Sequence, residues 1–362
     1  MIKTIRVLHT EWSNGWGGQE IRIIHEMKMM RSEGAEVYLA CRENSMIKDE
    51  AIANNIKVFS LPFRGNTDLK TLFHLKKIIK YYSIDIVNTH SGKDTWVGGL
   101  AAKLTGVKFV RTRHLSNKIN PSRLNFINEL ADYIFTTGEK VRDDMIEYNR
   151  IKANKIISIP TGIDESIFNP ESCNREECRK KLTINDSEIA IGILAVLRQF
   201  KRHDLFLKMA KSLIKKYPSK RLVFIIAGNG PQKENIEKII NDLNLAENVK
   251  MVGHINNVPE FLCAIDILVL SSDSKEGVPQ SVMQGLFMNK PVVSSDSGST
   301  RDLFNHNNFQ LIQKGSIEAL INGVSIYLDN MNEVSSRKYM MENFSSSVMV
   351  EKIMTSYEKI LE

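Results

Sequence analysis

The sequence predicts an α/β protein made of two doubly wound, Rossmann-like domains with parallel sheets. Strand-like runs of branched apolar residues alternate with helix-like runs along the chain, and this alternation restarts once, near residue 165. Alternation of this kind is typical of parallel sheets with helices on both faces, because two parallel strands need a crossover connection between them. The length of 362 residues exceeds one ordinary core and suits two domains.

The first predicted domain, residues 1–164, contains six strand patterns with helices between them. The strand patterns are IRVLHT, AEVYLAC, KVFSLPF, IDIVNTH, KFVRTRH and ADYIFTTG. Helical patterns cover residues 20–34, 45–54, 68–82 and 95–104. The stretch KIISIPTGIDESIFNP follows them, is rich in turn formers, and therefore predicts the joint between the domains.

The second predicted domain, residues 165–344, repeats this organisation. Its strand patterns are EIAIGILAVLR, RLVFIIAGNG, VKMVGHI, DILVLSS and PVVSSD, with helical stretches such as 203–217 and 232–243 between them. Residues 345–362 have apolar side chains at helical spacing. They predict a C-terminal helix that could pack back on the first domain.

The composition is that of a globular protein in the cytoplasm. Hydrophobic residues make up 42% of the chain and charged residues 25%, with no low-complexity tract. No apolar run approaches the roughly 20 residues needed to cross a bilayer, and MIKTIRVLHT resembles a strand more than a signal peptide. Four cysteines fit a reducing compartment. Their only close pair, in CNREEC, does not predict a structural metal site.

The net charge of +7 is concentrated in the first half of the chain. Residues 1–165 have 25 basic and 19 acidic side chains, whereas residues 166–362 have 24 and 23. An excess of this kind attracts anionic partners, which could be nucleic acid, a phosphorylated substrate or an acidic membrane surface. A solvated charged surface is the simplest alternative.

Unusual residues of the first domain fall at the ends of predicted strands, where ligands bind in open α/β sheets. Gly15, Gly17 and Gly18 follow the first strand and allow backbone amides to approach a ligand closely. His90 and His114 end two later strands. A single strand-end histidine is usually an ordinary polar residue, but two of them make a shared cleft more plausible.

The first strand of the second domain is followed by the basic sequence LRQFKRHD. The arginine fork of Arg198 and the ammonium group of Lys201 suit two adjacent phosphate groups, although a charged surface would have the same composition. The later sequence AGNGP is similar to a Rossmann turn, but Lys233 stands where its third glycine would be. Nicotinamide binding is therefore disfavoured.

The segment EGVPQSVMQG predicts a loop that enters a helix and binds a phosphorylated polyol. Pro279 suits the first turn of a helix, so Gln280 and Ser281 would present free amides at its positive end. Gly277 lets the loop bend close to a ligand, and the acceptor-only carboxylate of Glu276 suits sugar hydroxyls.

Taken together, these motifs resemble the retaining glycosyltransferases of the GT-B fold, family 4, also called glycosyl transferases group 1. The resemblance extends over essentially the whole chain and depends on the joint order of its landmarks. The landmarks are GGQE, HLSN, IPTGID, LRQFKRHD, AGNGP, VGHINNV, DILVLSS, EGVPQSVMQG and KPVVSSDSGS. It implies that two Rossmann-like domains face each other across a cleft, with a nucleotide-diphosphate sugar mostly on the second and the acceptor on the first.

The resemblance also assigns roles to residues of the donor site. Glu276 would hold donor-sugar hydroxyls and His114 would lie near the reacting sugar, as the two catalytic residues. Arg198 and Lys201 would neutralise the diphosphate leaving group. The remaining donor-binding positions implied by the family are Gly17, Gly18, Gly253, His254, Gly277, Val278, Pro279, Gln280, Ser281 and Gln284.

Position 284 departs from the family pattern, which usually has a second glutamate that grips the ribose. Gln284 keeps one acceptor oxygen, so ribose recognition is expected to be weaker. His90 is assigned to acceptor binding. No D-x-D sequence is present, so transfer is expected to need no metal ion and no cofactor besides the nucleotide-sugar co-substrate.

The expected function is synthesis of surface polysaccharide or lipopolysaccharide on a saccharide or lipid-linked acceptor. DLKTLFHLKKIIKYY has four lysines beside apolar residues; most of the apolar set should cover the sheet, and the lysines could rest on an anionic membrane. Peripheral attachment to the inner face of the cell membrane is then expected.

Two alternatives remain at this point: a GT-B-like nucleotide-sugar epimerase, and a catalytically silent nucleotide-sugar-binding protein, which only Gln284 favours. Nucleic acid is not an expected partner, because few aromatic residues accompany the basic ones.

Overall fold

The computed structural model describes residues 4–114, 118–119, 123–274, 276–305, 308–330 and 335–362. The chain forms two compact units. Unit 1 extends to Gly162 and includes the last segment, Ser346–Glu362, and unit 2 is Ile163–Ser345. The boundary expected at 164/165 lies two residues from the observed division. Residues 115–117 of the HLSN motif lie outside the described part of the chain.

Unit 1 contains a parallel sheet with the strand order β3-β2-β1-β4-β5-β6-β7 among its described residues. Each strand pairs in parallel with its neighbours. The strands are β1 Arg6–Glu11, β2 Glu36–Cys41, β3 Lys57–Ser60, β4 Ile86–Thr89, β5 Lys108–Arg113, β6 Tyr133–Thr136 and β7 Ile156–Ser158.

Helices connect these strands and cover both faces of the sheet. They are α1 Gly18–Ser32, α2 Met46–Ala53, α3 Leu69–Tyr81, α4 Gly92–Thr105 and α5 Glu139–Glu147. Helix α4 begins three residues before the predicted start at 95, because Ser91 and Asp94 form a capping box there. It ends at Thr105 and is followed by Gly106, whose φ of 79° is a left-handed conformation that favours glycine.

Two elements of unit 1 differ from the sequence-based expectation. Strand β7 pairs with β6, although its sequence, KIISIP, was assigned to the turn-rich joint. Helix α5 was not predicted, because it is short and highly charged, with only Val141 and Met145 as buried apolar residues.

Unit 2 contains a second parallel sheet, with the order β10-β9-β8-β11-β12-β13 among its described residues. The strands are β8 Glu188–Leu194, β9 Arg221–Ala227, β10 Val249–Gly253, β11 Ile267–Leu270, β12 Val292–Ser295 and β13 Gln310–Ile312. The helices are α6 Arg175–Lys181, α7 His203–Lys216, α8 Lys233–Asp242, α9 Val258–Ala264, α10 Gln280–Phe287, α11 Ile317–Asp329 and α12 Arg337–Phe344. Separate apolar clusters fill the two faces of this sheet.

The C-terminal helix α13, Ser346–Leu361, belongs to unit 1 and packs on α1. Its Tyr357 is fully buried, and the hydroxyl group accepts a hydrogen bond of 2.9 Å from Asn88. The buried ion pair between Arg22 and Glu26 lies in the same region. Among the described residues, no helix is both long enough and apolar enough to cross a membrane.

Candidate functional site

The candidate site of unit 2 lies where its strand order reverses. Strands β8 and β11 are neighbours in the sheet, while β9 and β12 continue it in opposite directions. The loops after such a pair of strands leave toward opposite faces and open a crevice at the carboxyl edge. Residues 195–202 follow β8 and residues 271–279 follow β11, so both predicted basic and acidic motifs meet at this edge.

A buried pair of opposite charges links these two loops. The Nζ atom of Lys201 lies 2.5 Å from Oε1 of Glu276, and the hydroxyl group of Ser272 donates to the same oxygen at 2.6 Å. Glu276 is 6% exposed. Among the described residues, no hydrogen bond reaches Oε2, which is the oxygen left for a ligand hydroxyl.

Further contacts between the two loops fix this pair. The hydroxyl group of Ser271 donates to the carbonyl oxygens of Lys201 and Arg202, at 2.9 and 3.0 Å. The amide of Asp273 donates to the carbonyl oxygen of Phe200 at 3.0 Å. Arg202 also donates to Asp204 and Asp273 through its guanidinium group. Both loops therefore act as one rigid support for Glu276.

Gly298, after β12, is the residue that allows a third loop to approach Glu276. A Cβ atom at this position would lie 1.9 Å from the carbonyl oxygen of Glu276, and the φ of 62° is itself left-handed. The neighbouring amide of Ser299 donates to the carbonyl oxygen of Gly277 at 3.2 Å. Only glycine fits here, because both the space and the backbone angle exclude a side chain.

The AGNGP turn supports the loop that carries Arg198. A Cβ atom on Gly228 would lie 2.0 Å from the carbonyl oxygen of Ala195, so this glycine permits close packing of one loop on another. The amides of Leu197 and Gln232 complete the contact by donating to the carbonyl oxygens of Asn229 and Leu197, each at 3.0 Å. The similarity of this turn to a Rossmann motif therefore has a packing reason.

Arg198 itself is exposed, and no ion pair to it occurs among the described residues. It lines a cavity of about 590 Å³ together with Arg202, His203 and Asp273. Burial, and then the charge of Lys201, lower the pKa of His203 to about 4. His203 is therefore neutral at pH 7.

Helix α10 begins at Gln280, directly after Pro279. Pro279 has φ −71° and ψ 115°, so it precedes the first turn, where the sequence had placed it inside that turn. The change leaves the predicted amides in place, since Gln280 and Ser281 are the first two helical residues and their N–H groups have no intrahelical partner. Gln284 is half-buried one turn later, on the same face as Gln280.

Gly253 and His254 are two of the predicted donor-binding positions. Gly253 ends strand β10, and His254 follows it. Gly253 has a φ of 71°, and its carbonyl oxygen accepts the amide of Gly228 at 2.7 Å. His254 is exposed. The side chain of Asn257 then begins α9 by accepting the amide of Glu260. Gly277 and Val278 are half-buried beside Glu276.

In unit 1, three histidines form a chain across the carboxyl ends of the neighbouring strands β1, β4 and β5. Nδ1 of His9 lies 2.9 Å from Nε2 of His90, and Nδ1 of His90 lies 2.9 Å from Nε2 of His114. Consecutive ring centroids are 5.2 Å apart. Both nitrogens of His90 are therefore engaged, so a direct contact with an acceptor would require one of them to be released.

His9 is the member of this chain that the sequence analysis missed. It lies inside the predicted strand IRVLHT, where it has the appearance of a polar residue near a strand end. The signal that could have found it is its position at the same sheet edge as His90 and His114, in the strand that precedes the glycine-rich loop.

Burial favours the neutral form of the three imidazoles, with His9 and His90 buried and His114 partly buried. Burial lowers the pKa of His9 to about 3. The pKa of His90 and that of His114 are well below the usual value, first because of burial and then because of nearby positive charges that include Arg22 and Arg111.

Acid should destabilise unit 1 through His9. The pKa of His9 is 6.5 in the unfolded chain and about 3 in the folded protein. Between these values the unfolded chain binds an extra proton, so the free energy of unfolding decreases as the pH is lowered. The slope approaches about 1.4 kcal/mol per pH unit well below pH 6.5. We expect the free energy of chemical unfolding to decrease between pH 6 and 4 more steeply in the wild type than in His9→Phe, and the two slopes to differ by this amount.

The comparison with His9→Phe is needed because Glu11 has the opposite effect. Burial, and then the charge of Asp94, raise the pKa of Glu11 from 4.5 to about 8, so its contribution to stability is lost as the pH rises through this range. Parallel pH profiles of the two proteins would contradict the buried, neutral state of His9.

The glycine-rich loop of unit 1 leads into α1. Gly17 precedes the helix in an extended conformation, and Gly18 is its first residue. The side chain of Gln19 donates to Glu11 at 2.5 Å, which ties the first turn to the end of β1. The first amides of this 15-residue helix have no intrahelical partner, and donor binding by Gly17 and Gly18 stays a prediction.

Among the described residues, no group of three or more His, Cys, Asp or Glu side chains has an arrangement that could hold a metal ion. This finding concerns a protein-bound metal only. Whether transfer requires a free divalent cation stays a prediction.

Two doubly wound parallel sheets of this kind define the GT-B class of glycosyltransferase folds. A glycosyltransferase from Rickettsia africae superposes with a TM-score of 0.90 at 19% identity, and 99% of each chain is covered. Anabaena HepE, solved in complex with UDP, has a TM-score of 0.84 at 17% identity, with 98% of this chain and 100% of that chain covered.

Two family models place the chain among the glycosyltransferases. The model "Glycosyltransferase Family 4" matches residues 16–167, and "Glycosyl transferases group 1" matches residues 174–345, so together they cover most of both units. The chain belongs to this family, as the resemblance predicted.

Among curated relatives, the UDP-Gal:alpha-D-GlcNAc-diphosphoundecaprenol alpha-1,3-galactosyltransferase of Escherichia coli is 24% identical, with 98% of this chain and 96% of that protein covered. The putative glycosyltransferase EpsF of Bacillus subtilis is 26% identical, with 81% and 79% covered.

Proposed function

We propose that this glycosyltransferase moves a hexosyl or related sugar from a nucleotide-diphosphate donor to a saccharide or lipid-linked acceptor, with retention of configuration and without a metal ion. The product belongs to a surface polysaccharide or lipopolysaccharide. The observation that carries the proposal is the buried pair of Glu276 and Lys201 beside the first turn of α10, at the switch point of the second sheet.

The donor site of this proposal combines one carboxylate with several positive groups. Glu276 accepts hydrogen bonds from sugar hydroxyls through Oε2, while the amides of Gln280 and Ser281 bind the diphosphate. As the bond from the sugar to the diphosphate breaks, negative charge grows on the leaving group. Arg198, Lys201 and the positive end of α10 stabilise that charge, which is the task that a metal ion performs in other transferases.

The names and bound ligands of the relatives support the proposed classes of donor and acceptor. HepE was solved with UDP and with UDP-glucose, and the E. coli relative is named for transfer from UDP-Gal to a diphosphoundecaprenol-linked sugar. A nucleoside diphosphate donor and a lipid-linked acceptor are the corresponding proposals for this chain.

Transfer assays test the proposal directly. The purified protein is incubated with a nucleotide-sugar and a lipid-linked acceptor in excess EDTA, and the anomeric configuration of the product is read by NMR. We expect an α-linked product from an α-linked donor, at a rate that added Mg²⁺ or Mn²⁺ leaves unchanged. An inverted linkage or a strict need for metal would refute the mechanism, and nucleotide release without any acceptor would favour the epimerase.

Gln284→Ala should raise the KM for the donor by at least several-fold. The half-buried side chain lies one turn inside α10, where the proposal has it contact the ribose hydroxyls, and alanine removes both its acceptor and its donors. Initial rates over a range of donor concentrations measure the effect. Gln313→Ala, at an exposed glutamine just after β13, is the control. An unchanged KM in Gln284→Ala removes the ribose contact from the account.

Unit 1 carries the proposed membrane surface on the exposed side of α3. This helix has no acidic residue and buries Thr71, Leu75 and Ile79 toward the core. Its other side exposes Leu69, Phe73 and Tyr81, with side-chain exposures from 57% to 81%. Most of the apolar residues of this segment were expected to cover the sheet; Phe73 is one that is exposed, as are Lys70, Lys77 and Lys80. Basic and aromatic side chains together suit the headgroup region of an anionic bilayer.

Replacing Lys70, Lys77 and Lys80 together by glutamine should weaken binding to anionic vesicles by about 100-fold, at about 1 kcal/mol for each lysine. Cosedimentation with phosphatidylglycerol vesicles at low salt measures the change. The matched control replaces Lys208, Lys211 and Lys215, which are exposed on α7 of unit 2. Equal loss in both variants, or wild-type binding that ignores salt and anionic lipid, would exclude α3 as the membrane surface.

A further inference from the structure

The chain of His9, His90 and His114 constrains where the protons of all three rings can be. A neutral imidazole has one N–H group and one lone pair, so His90 must donate on one side and accept on the other. The three rings therefore have only two consistent arrangements. Either every Nδ1 atom carries the proton, or every Nε2 atom does, and the direction of the chain reverses between them.

The two ends of the chain are chemically different. At the inner end, Nε2 of His9 is buried and has no hydrogen-bond partner among the described residues. At the outer end, His114 is the ring that keeps some exposure, and its Nδ1 atom is the nitrogen not directed at His90. The position of the proton on His9 therefore decides whether Nδ1 of His114 is a hydrogen-bond donor or an acceptor.

The inner end favours protons on Nδ1. With protons on Nε2, His9 would hold a buried N–H group that has no acceptor among the described residues, and such a donor loses its hydration without compensation. With protons on Nδ1, His9 leaves only an unused lone pair there, which proteins tolerate more often. The arrangement with every proton on Nδ1 makes Nδ1 of His114 a hydrogen-bond donor.

We propose that His9 and His90 are positioning residues that hold His114 as the neutral Nδ1–H tautomer, so that His114 donates a hydrogen bond to an oxygen atom of the sugar substrate. This inference rests on the proposed function, which makes His114 a catalytic residue, and adds the direction of its hydrogen bond. No proton is transferred. The opposite tautomer could only accept a hydrogen bond there, so the chain decides whether His114 can bind a substrate oxygen that has no hydrogen, such as a ring or phosphate oxygen.

The first test reads the tautomer without any substrate. The full chain is labelled with ¹⁵N-histidine, and long-range ¹H–¹⁵N correlations at pH 7 distinguish the two tautomers of each of the eight histidines. Single substitutions of His9, His90 and His114 by glutamine assign the signals of the three rings. We expect the Nδ1–H pattern for His9, His90 and His114. An Nε2–H pattern, or a charged ring, at His114 overturns the inference.

The second test separates positioning from a purely structural role. His9→Phe keeps a flat ring but removes Nδ1. His9→Asn places a side-chain amide N–H donor close to the former position of Nδ1. We expect His9→Phe to give a mixture of tautomers at His114 and to lower kcat about tenfold, the size of one neutral hydrogen bond, with little change in donor KM. His9→Asn should recover both properties.

Unchanged tautomer and kcat in His9→Phe would overturn the inference. Thermal unfolding of both variants identifies any loss that comes from misfolding, and the wild-type spectrum stands without them. The proposed function fails separately: if the wild type transfers no sugar while His114 has the Nδ1–H pattern, the transferase proposal is refuted and the tautomer assignment holds.

Discussion

Glu276→Gln is expected to lower kcat for sugar transfer by about 10²–10³-fold, the range for removing one preorganised group from a reacting centre. Glutamine has the same shape but no charge, so Lys201 loses its partner at 2.5 Å and the sugar hydroxyls lose a charged acceptor. Interactions that strengthen in the transition state affect kcat more than KM. Steady-state kinetics with a saturating acceptor measure the effect.

Glu176→Gln is the matched control for this substitution. Glu176 also pairs with a lysine, at 2.6 Å, but both side chains are exposed on α6 and such pairs contribute little. Its activity should equal that of the wild type. Lys201→Met combined with Glu276→Gln shows whether the loss depends on the pair, because the two effects should not add. A Glu276→Gln protein with near-normal kcat would remove Glu276 from the catalytic account.

The second large effect is expected for Arg198→Ala, which should weaken binding of a nucleoside diphosphate by about 10–100-fold. Lys201 is already paired with Glu276, whereas Arg198 is exposed at the same sheet edge and has no ion pair among the described residues. A hydrogen bond to a charged group contributes about 1.5–3 kcal/mol, which gives this range. Isothermal titration calorimetry with UDP as the probe measures the change.

Arg198→Lys should recover part of the affinity, since lysine keeps the charge but not the two-pronged geometry. Arg221→Ala is the control. Arg221 is an exposed arginine of the same unit, but it begins strand β9 and so lies at the edge of the sheet opposite to Arg198. If Arg198→Ala and Arg221→Ala bind UDP equally well, Arg198 does not contact the diphosphate.

The sequence predicts most of the fold because most strands contain runs of branched apolar residues that alternate with helical patterns. The elements it misses are short or weakly patterned. Strand β7 has three residues and gains its place by pairing with β6, and β13 likewise pairs with β12 over three residues. Such strands are decided by their neighbours in the sheet, which a local pattern does not contain.

The candidate site is predictable where a residue has unusual chemistry for its position, as Glu276 and Arg198 have. It is not predictable where the reason is a distant contact. Gly298 is required by the carbonyl oxygen of Glu276, 22 residues earlier, and His9 gains its meaning from His90, 81 residues later. No local pattern records either distance.

The most direct test of the account is a crystal structure of the protein with UDP, since the central claim is where the diphosphate binds. We predict that the diphosphate oxygen atoms contact the side chain of Arg198 and the amides of Gln280 and Ser281. Glu276 should then line the space next to the diphosphate that the donor sugar would occupy. A diphosphate that contacts neither Arg198 nor the first turn of α10 would contradict the account.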